Sequence, residues 1–155
     1  VVAELGEILV HGVAIKPGYP VALGVVEETP VLMLPGNPVA CIVTAQQFLR
    51  PVLKRVGHMP VEPVSTQSAT LSRKLPSEPG TRTFARVETS DTVADGDAAD
   101  GGGDENGLTA TPVRTGGAGI LSSVALADGW VVVPEEREGY SAGDPVTVEY
   151  WEATP

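Results

Sequence analysis

The stretch 30–49, PVLMLPGNPVACIVTAQQFL, contains a change of hydrophobic rhythm that indicates a strand followed by a helix. Residues 31–34 form an apolar run of strand length, and apolar residues recur at helical spacing from 39 to 56. Between them, Asn37 is a suitable N-cap and Pro38 a suitable first helical residue. The pattern therefore predicts a stiff strand-to-helix turn, with a helix that Pro51 kinks or restarts.

The rest of the chain divides into two regions with different patterns. The first also contains predicted strands at 7–15 and 20–26, and the second of these can form an antiparallel hairpin with 31–34. Gly57 is expected to be the C′ residue of the helix, and Pro60 and Pro63 prevent the helix from continuing. We therefore predict a first domain at residues 1–58 and a second at residues 61–155.

The second region alternates apolar and polar residues and turns often, which is typical of a small β-barrel or sandwich. The predicted strands are residues 68–71, 83–87, 108–113, 130–133 and 146–151. The acidic, glycine-rich stretch 91–107 does not match a calcium loop and is predicted to be a disordered loop. The expected fold class is α/β plus all-β.

Composition excludes several classes of function. The 155 residues include 20 acidic and 10 basic side chains, a formal net charge of −10 that opposes non-specific binding to nucleic acid or an anionic membrane. The 18 glycines and 14 prolines argue against an all-helical protein. The acidity has a simple interpretation as a solvated surface, and it also suits a halophilic-type protein that works in concentrated salt.

The single cysteine, Cys41, excludes an internal disulfide and is typical of a reducing, cytoplasmic environment. No run approaches the ~18 apolar residues of a membrane helix. The first residues lack the basic segment of a signal peptide, so we expect neither secretion nor membrane insertion. Because the sequence begins at Val1 in mid-pattern, we expect the natural polypeptide to start upstream.

Two turns carry candidate chemistry. The Pro35-Gly36-Asn37-Pro38 turn precedes a helix N-terminus, where an anion can bind, although capping alone accounts for most of its residues. In AIKPGYP, residues 14–20, Lys16 follows a strand and could pair with a phosphate or another oxyanion. The alternative is an ordinary solvated turn lysine, but lysines are scarce in this chain and a second Pro-Gly turn lies nearby.

Two further stretches leave function open. The glycines of GGAGILSS, residues 116–123, permit close backbone approach beside the hydroxyls of Ser122 and Ser123, but no P-loop is completed. Arg82, Phe84 and Arg86 alternate along a predicted strand and therefore share one face, which is either an anion-binding face or an exposed strand with one anchoring Phe. His11 and His58 have no metal-ligand spacing.

The segments ELGEI, AIKPGYP, LPGNPVA, GTRTFARV and GILSS…WVVVPE, in this order, resemble the C-terminal part of the MoeA/gephyrin family of molybdopterin molybdenumtransferases. The resemblance implies the last portion of an α/β molybdopterin-binding domain, followed by a small β-barrel-like domain. It also implies insertion of molybdate into adenylylated molybdopterin with release of AMP, a magnesium ion, a cytoplasmic homodimer, and no nucleic-acid or membrane partner.

The resemblance implies that Lys16 lies in the active site and that the turn from Pro35 to Pro38 lines the same cleft; we add Ser122 as a candidate binding residue. Tyr19 stands where many members have a second lysine, and Ala118 where a serine is frequent. The family's catalytic aspartates and metal ligands would precede Val1. We therefore expect a partial enzyme, inactive as an isolated chain. The alternative is a non-catalytic dimerisation or binding module of the gephyrin type.

Overall fold

A three-stranded sheet forms the first part of the chain. The computed structural model describes residues 1–91, 107–113 and 125–151. A short helix, α1 (Val2–Leu5), is followed by strands β1 (Glu7–His11), β2 (Ile15–Lys16), β3 (Ala22–Val26) and β4 (Thr29–Met33). Strands β1, β3 and β4 form an antiparallel sheet in that order, so the predicted hairpin is confirmed. The acidic stretch predicted as a disordered loop lies largely outside the described residues.

The hairpin between β3 and β4 is closed by the two residues Glu27 and Glu28. Both residues have positive φ, 47° and 66° respectively. Positive φ at both central residues is characteristic of type I′ turns, whose twist matches that of the flanking strands. The predicted strand 7–15 is wrong as a single element, because β1 ends at His11 and the backbone turns at Gly12, whose φ is 86°. The separate strand β2 joins a different sheet.

The predicted strand-to-helix turn is confirmed. Helix α2 (Pro38–Thr44) begins at the predicted first residue, and the Asn37 side chain accepts hydrogen bonds from the backbone N–H groups of Val39 (3.1 Å) and Ala40 (3.3 Å). The helix buries Val39, Ala40, Val43 and Thr44. The buried hydroxyl of Thr44 donates to the Ala40 carbonyl at 2.8 Å, so burial leaves it satisfied.

Pro51 is accommodated by a change in helix type. Residues Ala45–Leu49 form a π-helical turn, and helix α3 (Arg50–Val56) starts immediately after it with Pro51 in its first turn. The prediction that Pro51 starts a second segment is therefore confirmed. The wide turn adds about one residue, which rotates α3 by about 100° relative to a continuous α-helix. The predicted apolar face is not buried along α3, which has no fully buried residue, and Val56 is 66% exposed.

The helix ends one residue later than predicted. Gly57 is the C-cap with an ordinary φ of −79°, and the left-handed C′ residue is His58, with φ 51°. Met59 N–H donates to the Lys54 carbonyl at 2.8 Å and His58 N–H to the Arg55 carbonyl at 3.2 Å. This is the hydrogen-bond pattern of a Schellman motif. The assignment of Gly57 as C′ is therefore wrong.

Five strands of the second region close into a barrel, which decides between the barrel and sandwich predictions. The strands are β5 (Thr66–Leu71), β7 (Arg82–Asp91), β8 (Leu108–Pro112), β9 (Gly129–Val133) and β11 (Pro145–Tyr150). They pair in the order β7-β8-β5-β11-β9, and β9 pairs back to β7, which closes the ring. Two short strands, β6 (Leu75–Pro76) and β10 (Gly139–Tyr140), pair beside it. The barrel is filled by aliphatic side chains such as Leu71, Val87, Val131 and Val148.

The outside of the barrel carries a second apolar cluster that joins the two regions. Phe84 of β7 and Trp130 of β9 pack edge to face, with ring centroids 5.5 Å apart. They bury Ile15 of β2 and Val43 of α2 against the barrel wall. The indole N–H of Trp130 donates to Glu149 at 2.9 Å, which satisfies the one polar atom of this ring.

Replacing Asn37 with Ala tests the helix cap. Two backbone N–H groups lose their acceptor, so we expect the free energy of unfolding to fall by about 1 kcal/mol. The control Asn37→Asp keeps an oxygen acceptor and should retain most of the stability. Chemical denaturation measures both variants, and equal losses in the two would contradict the capping role.

Candidate functional site

Lys16 lies at the end of β2, where the first region meets the barrel. Strand β2 pairs in parallel with β7, with Ile15 opposite Arg82 and Lys16 opposite Thr83. The Ile15 side chain is buried in the apolar cluster between the two regions, whereas the Lys16 side chain is 58% exposed. Its ammonium lies 3.2 Å from a carboxylate oxygen of Glu78. The candidate lysine is thus an exposed cation that is paired with the barrel.

The turn after Lys16 is fixed against the helix by Gly18. This residue is buried with φ 131°, a conformation that L side chains rarely adopt. A Cβ at Gly18 would lie 2.8 Å from the Thr44 methyl group and 2.9 Å from Ile15 Cδ1. Glycine is therefore required here for two reasons, and its contact with α2 fixes the position of the Lys-Pro-Gly turn.

The strand register brings the two candidate turns to the same end of the first sheet. Ala22, the first residue of β3, pairs with Met33, the last residue of β4. The Lys16–Gly18 turn precedes β3, and the Pro35–Pro38 turn follows β4. Because β3 and β4 are antiparallel, both turns lie beyond this one pair. The topology therefore places together two motifs that are separate in the sequence.

The backbone amides at the start of α2 already have acceptors. Pro38 has no N–H, Val39 and Ala40 donate to the Asn37 side chain, and Cys41 N–H donates to the Asn37 carbonyl at 2.8 Å. An anion at this helix end would have to displace the Asn37 side chain. The turn could therefore contact a ligand through its surface shape, but it has no free amide donors at the start of α2 for an anion.

Gly36 is the residue of this turn that permits close approach. It is exposed, its φ is not in the left-handed region, and no atom of the described chain, apart from Gly36 and its two chain neighbours, lies within 4 Å of the position of a Cβ. Neither backbone strain nor packing among the described residues therefore explains the glycine. Pro35 beside it is buried, so the turn has a fixed base and an open tip.

The three alternating residues of β7 do share the outer face of the barrel, but they have different surroundings. Phe84 is buried in the apolar cluster, and the Arg82 guanidinium donates to Glu135 at 2.9 Å. Partial burial lowers the pKa of Arg86, which still stays charged at neutral pH. This face is an anchoring face for the first region.

Glu78 and Glu135 were missed by the sequence reasoning. Each pairs with a basic residue of the inter-region junction, Glu78 with Lys16 and Glu135 with Arg82. The partners are 62 and 53 positions apart, and neither glutamate belongs to a motif. Only the pairing of β2 with β7 and of β7 with β9 brings them together, so no local pattern in the sequence could have found them.

A cleft of about 380 Å³ lies at the same junction. Ile15, Phe48 and Phe84 line it, and the Arg82–Glu135 pair stands beside them. It contains neither Lys16 nor any residue of the Pro35–Pro38 turn, although Ile15 is the neighbour of Lys16 and the strand candidates Arg82 and Phe84 line it. No group of three or more metal-ligating side chains is found in residues 1–91, 107–113 and 125–151.

Three predictions concern other features. Ser122 and the glycine-rich stretch around it lie outside the described residues. Cys41 is half-buried on α2, and because it is the single cysteine of the sequence it forms no internal disulfide. No helix in the described part of the chain is long and apolar enough to cross a membrane.

Two family profiles match the chain. One is described as a probable molybdopterin binding domain and matches residues 1–55, and the other, the MoeA C-terminal region (domain IV), matches residues 68–151. A crystal structure of a molybdopterin biosynthesis MoeA protein from Pyrococcus horikoshii is similar with a TM-score of 0.73 and 32% identity, covering 98% of this chain and 34% of that one. The expected fold class is confirmed.

Curated relatives agree with these matches. A putative molybdopterin biosynthesis protein of Methanocaldococcus jannaschii is 32% identical over 149 residues, which are 95% of this chain and 31% of that protein. The molybdopterin molybdenumtransferase of Haemophilus influenzae is 27% identical over 154 residues, 96% of this chain and 34% of that protein. The chain thus spans about a third of the length of these relatives.

The Arg82–Glu135 pair can be tested by titration. The pKa of Glu135 is lowered by a hydrogen bond from its own backbone N–H and by the Arg82 side chain. Ionised Glu135 therefore contributes stability at neutral pH, in part through Arg82, and this contribution is lost as the pH falls through the lowered pKa. We expect Arg82→Met to raise the pKa of Glu135 part of the way to its ordinary value, measured by carboxyl NMR. The exposed Arg50→Met is the control, and an equal shift there would contradict a specific pair.

Proposed function

Because this chain belongs to the MoeA/gephyrin family, we propose that it is the C-terminal part of a molybdopterin molybdenumtransferase. The complete protein inserts molybdate into adenylylated molybdopterin and releases AMP. The observation that carries the proposal is the common position of the Lys-Pro-Gly and Pro-Gly-Asn-Pro turns at one end of the β3–β4 hairpin. A lysine and a stiff turn with an exposed glycine, both at one end of the same hairpin, suit a ligand that is both flat and anionic.

Each residue has a distinct role in this proposal. The Lys16 ammonium pairs with an oxyanion of the substrate, either its phosphate or molybdate. Pro35 and Pro38 hold the wall of the pterin cleft rigid, while Gly36 lets the ligand approach the backbone closely. Asn37 supports the wall by holding the helix amides, and the Ser122 hydroxyl is a further hydrogen-bonding group for the same ligand.

The remaining features of the complete enzyme are those of the family. We propose a cytoplasmic homodimer that uses Mg²⁺, whose ligands lie in a part of the protein that precedes Val1, so that this chain alone does not turn over. Magnesium would neutralise phosphate charge when bound. We also propose a domain boundary between residues 58 and 61, which the two family profiles and the closure of the barrel within Thr66–Tyr150 support.

A non-catalytic binding module of the gephyrin type is the alternative function. The similar proteins of M. jannaschii and H. influenzae carry names of a biosynthetic protein and a transferase, which favours the enzyme. The cleft at the junction, which Phe48 and Phe84 line beside the Arg82–Glu135 pair, is the feature that a binding module would use.

Lys16→Ala in the full-length protein tests the assignment. Loss of a charged hydrogen-bonding group should lower kcat/KM by about 10- to 100-fold, because such bonds contribute ~1.5–3 kcal/mol. AMP release from adenylylated molybdopterin with magnesium and molybdate is the measurement. The Lys74→Ala variant controls for loss of one positive charge. Unchanged activity of a folded Lys16→Ala protein would remove Lys16 from the mechanism.

The acidic composition supports a second proposal, that the protein is adapted to concentrated salt. With a formal charge of −10, screening should reduce self-repulsion and stabilise the fold. We expect the midpoint of thermal unfolding to rise between dilute and molar KCl. A flat dependence on salt would contradict this adaptation.

A further inference from the structure

The ion pair of Lys16 crosses from one matched region of the chain to the other. Lys16 belongs to the segment that matches the molybdopterin-binding profile, and Glu78 belongs to the barrel region, with 3.2 Å between the ammonium nitrogen and Oε1. The barrel therefore places a carboxylate on the lysine that we propose to bind the substrate anion. This inference rests on the proposed function.

The segment that carries Glu78 is held in place by its backbone. Ser77 N–H donates to the Glu138 carbonyl at 2.9 Å, and the hydroxyls of Ser77 and Thr83 lie 2.7 Å apart. Thr81 N–H closes the turn by donating to the Glu78 carbonyl at 3.2 Å. Because Lys16 pairs with Thr83 through β2 and β7, lysine and glutamate are anchored to the same strand.

The pair itself is weak enough to be exchanged. The Lys16 and Glu78 side chains are 58% and 75% exposed, so water screens their attraction. A phosphate or molybdate carries more than one negative charge and several acceptor oxygens, which makes it a stronger partner for an ammonium than one carboxylate. A substrate anion can therefore displace the Glu78 carboxylate from the Lys16 ammonium group.

We propose that Glu78 is a positioning residue that holds Lys16 in the absence of substrate and competes with the substrate anion for it. Glu78 opposes anion binding in two ways, because it occupies the ammonium and because its own charge repels the anion. Its removal should thus strengthen binding of the anion that Lys16 contacts. The barrel domain then sets the affinity of a site built on the other domain.

The test uses the full-length protein and the variant Glu78→Gln. We expect the KM of one anionic substrate, adenylylated molybdopterin or molybdate, to fall by about two- to fivefold, the size of an exposed ion pair. The substrate whose KM falls is the one that Lys16 contacts. kcat and the midpoint of thermal unfolding should stay close to the wild-type values. Glu135→Gln is the matched control, since it removes another partly exposed, paired carboxylate of the same barrel and should leave both KM values unchanged.

A double-mutant cycle with Lys16→Ala completes the experiment. In the Lys16→Ala background there is no lysine for Glu78 to hold, so Glu78→Gln should no longer lower KM specifically. Its effect on both KM values should then equal that of the control Glu135→Gln. Wild-type AMP release together with unchanged or raised KM values in Glu78→Gln would overturn the role of Glu78 while the proposed function stands. An equal fall in both glutamate variants would likewise overturn it, as a general charge effect. If the wild-type protein released no AMP, the proposed function itself would fail.

Discussion

The burial of Phe84 and Trp130 on the outside of the barrel is the contact on which the candidate site depends. A barrel of this size needs only its inner face to be apolar, yet β7 and β9 also carry aromatic rings outward. These rings bury Ile15 and Val43, and the residue after Ile15 is Lys16. The same contact therefore joins the two regions and fixes where the lysine emerges. Gly18 allows the Lys-Pro-Gly turn that follows to pack closely against Thr44 of α2.

Local features of the fold were predictable and long-range ones were not. A few neighbouring residues encode the N-cap, the first helical residue and each barrel strand. The local pattern was therefore sufficient to predict the helix start at Asn37-Pro38 and a strand such as β9. The closure of the barrel depends on pairing between β9 and β7, which are distant in the sequence, and alternation alone cannot distinguish this from a sandwich. The left-handed residue was misplaced because glycine is favoured at C′, yet here His58 adopts that conformation.

The candidate site was predictable only in part, for an electrostatic reason. Motifs identify Lys16 and the Pro-Gly-Asn-Pro turn, but the charges that act on the lysine come from elsewhere in the sequence. At the junction, Lys16 and Arg82 each meet a glutamate of the barrel. In a chain with a net charge of −10, such pairing reduces the positive potential that these two cations present to an anion. Under the proposed function, affinity for the anionic substrate would then depend on short-range contacts more than on long-range steering.

The edge strand β1 has a consequence for the colloidal behaviour of the protein. Within the described residues, β1 pairs with β3 alone, and its five residues are exposed, including Ile8, Leu9 and Val10. An unpaired apolar edge is the geometry through which sheets recruit further strands, and here it contains neither proline nor lysine and is interrupted only by a register shift between Ile8 and Val10. Where no other strand covers it, this edge is the place at which two copies of the chain can pair backbone to backbone, against the mutual repulsion of their net charges of −10.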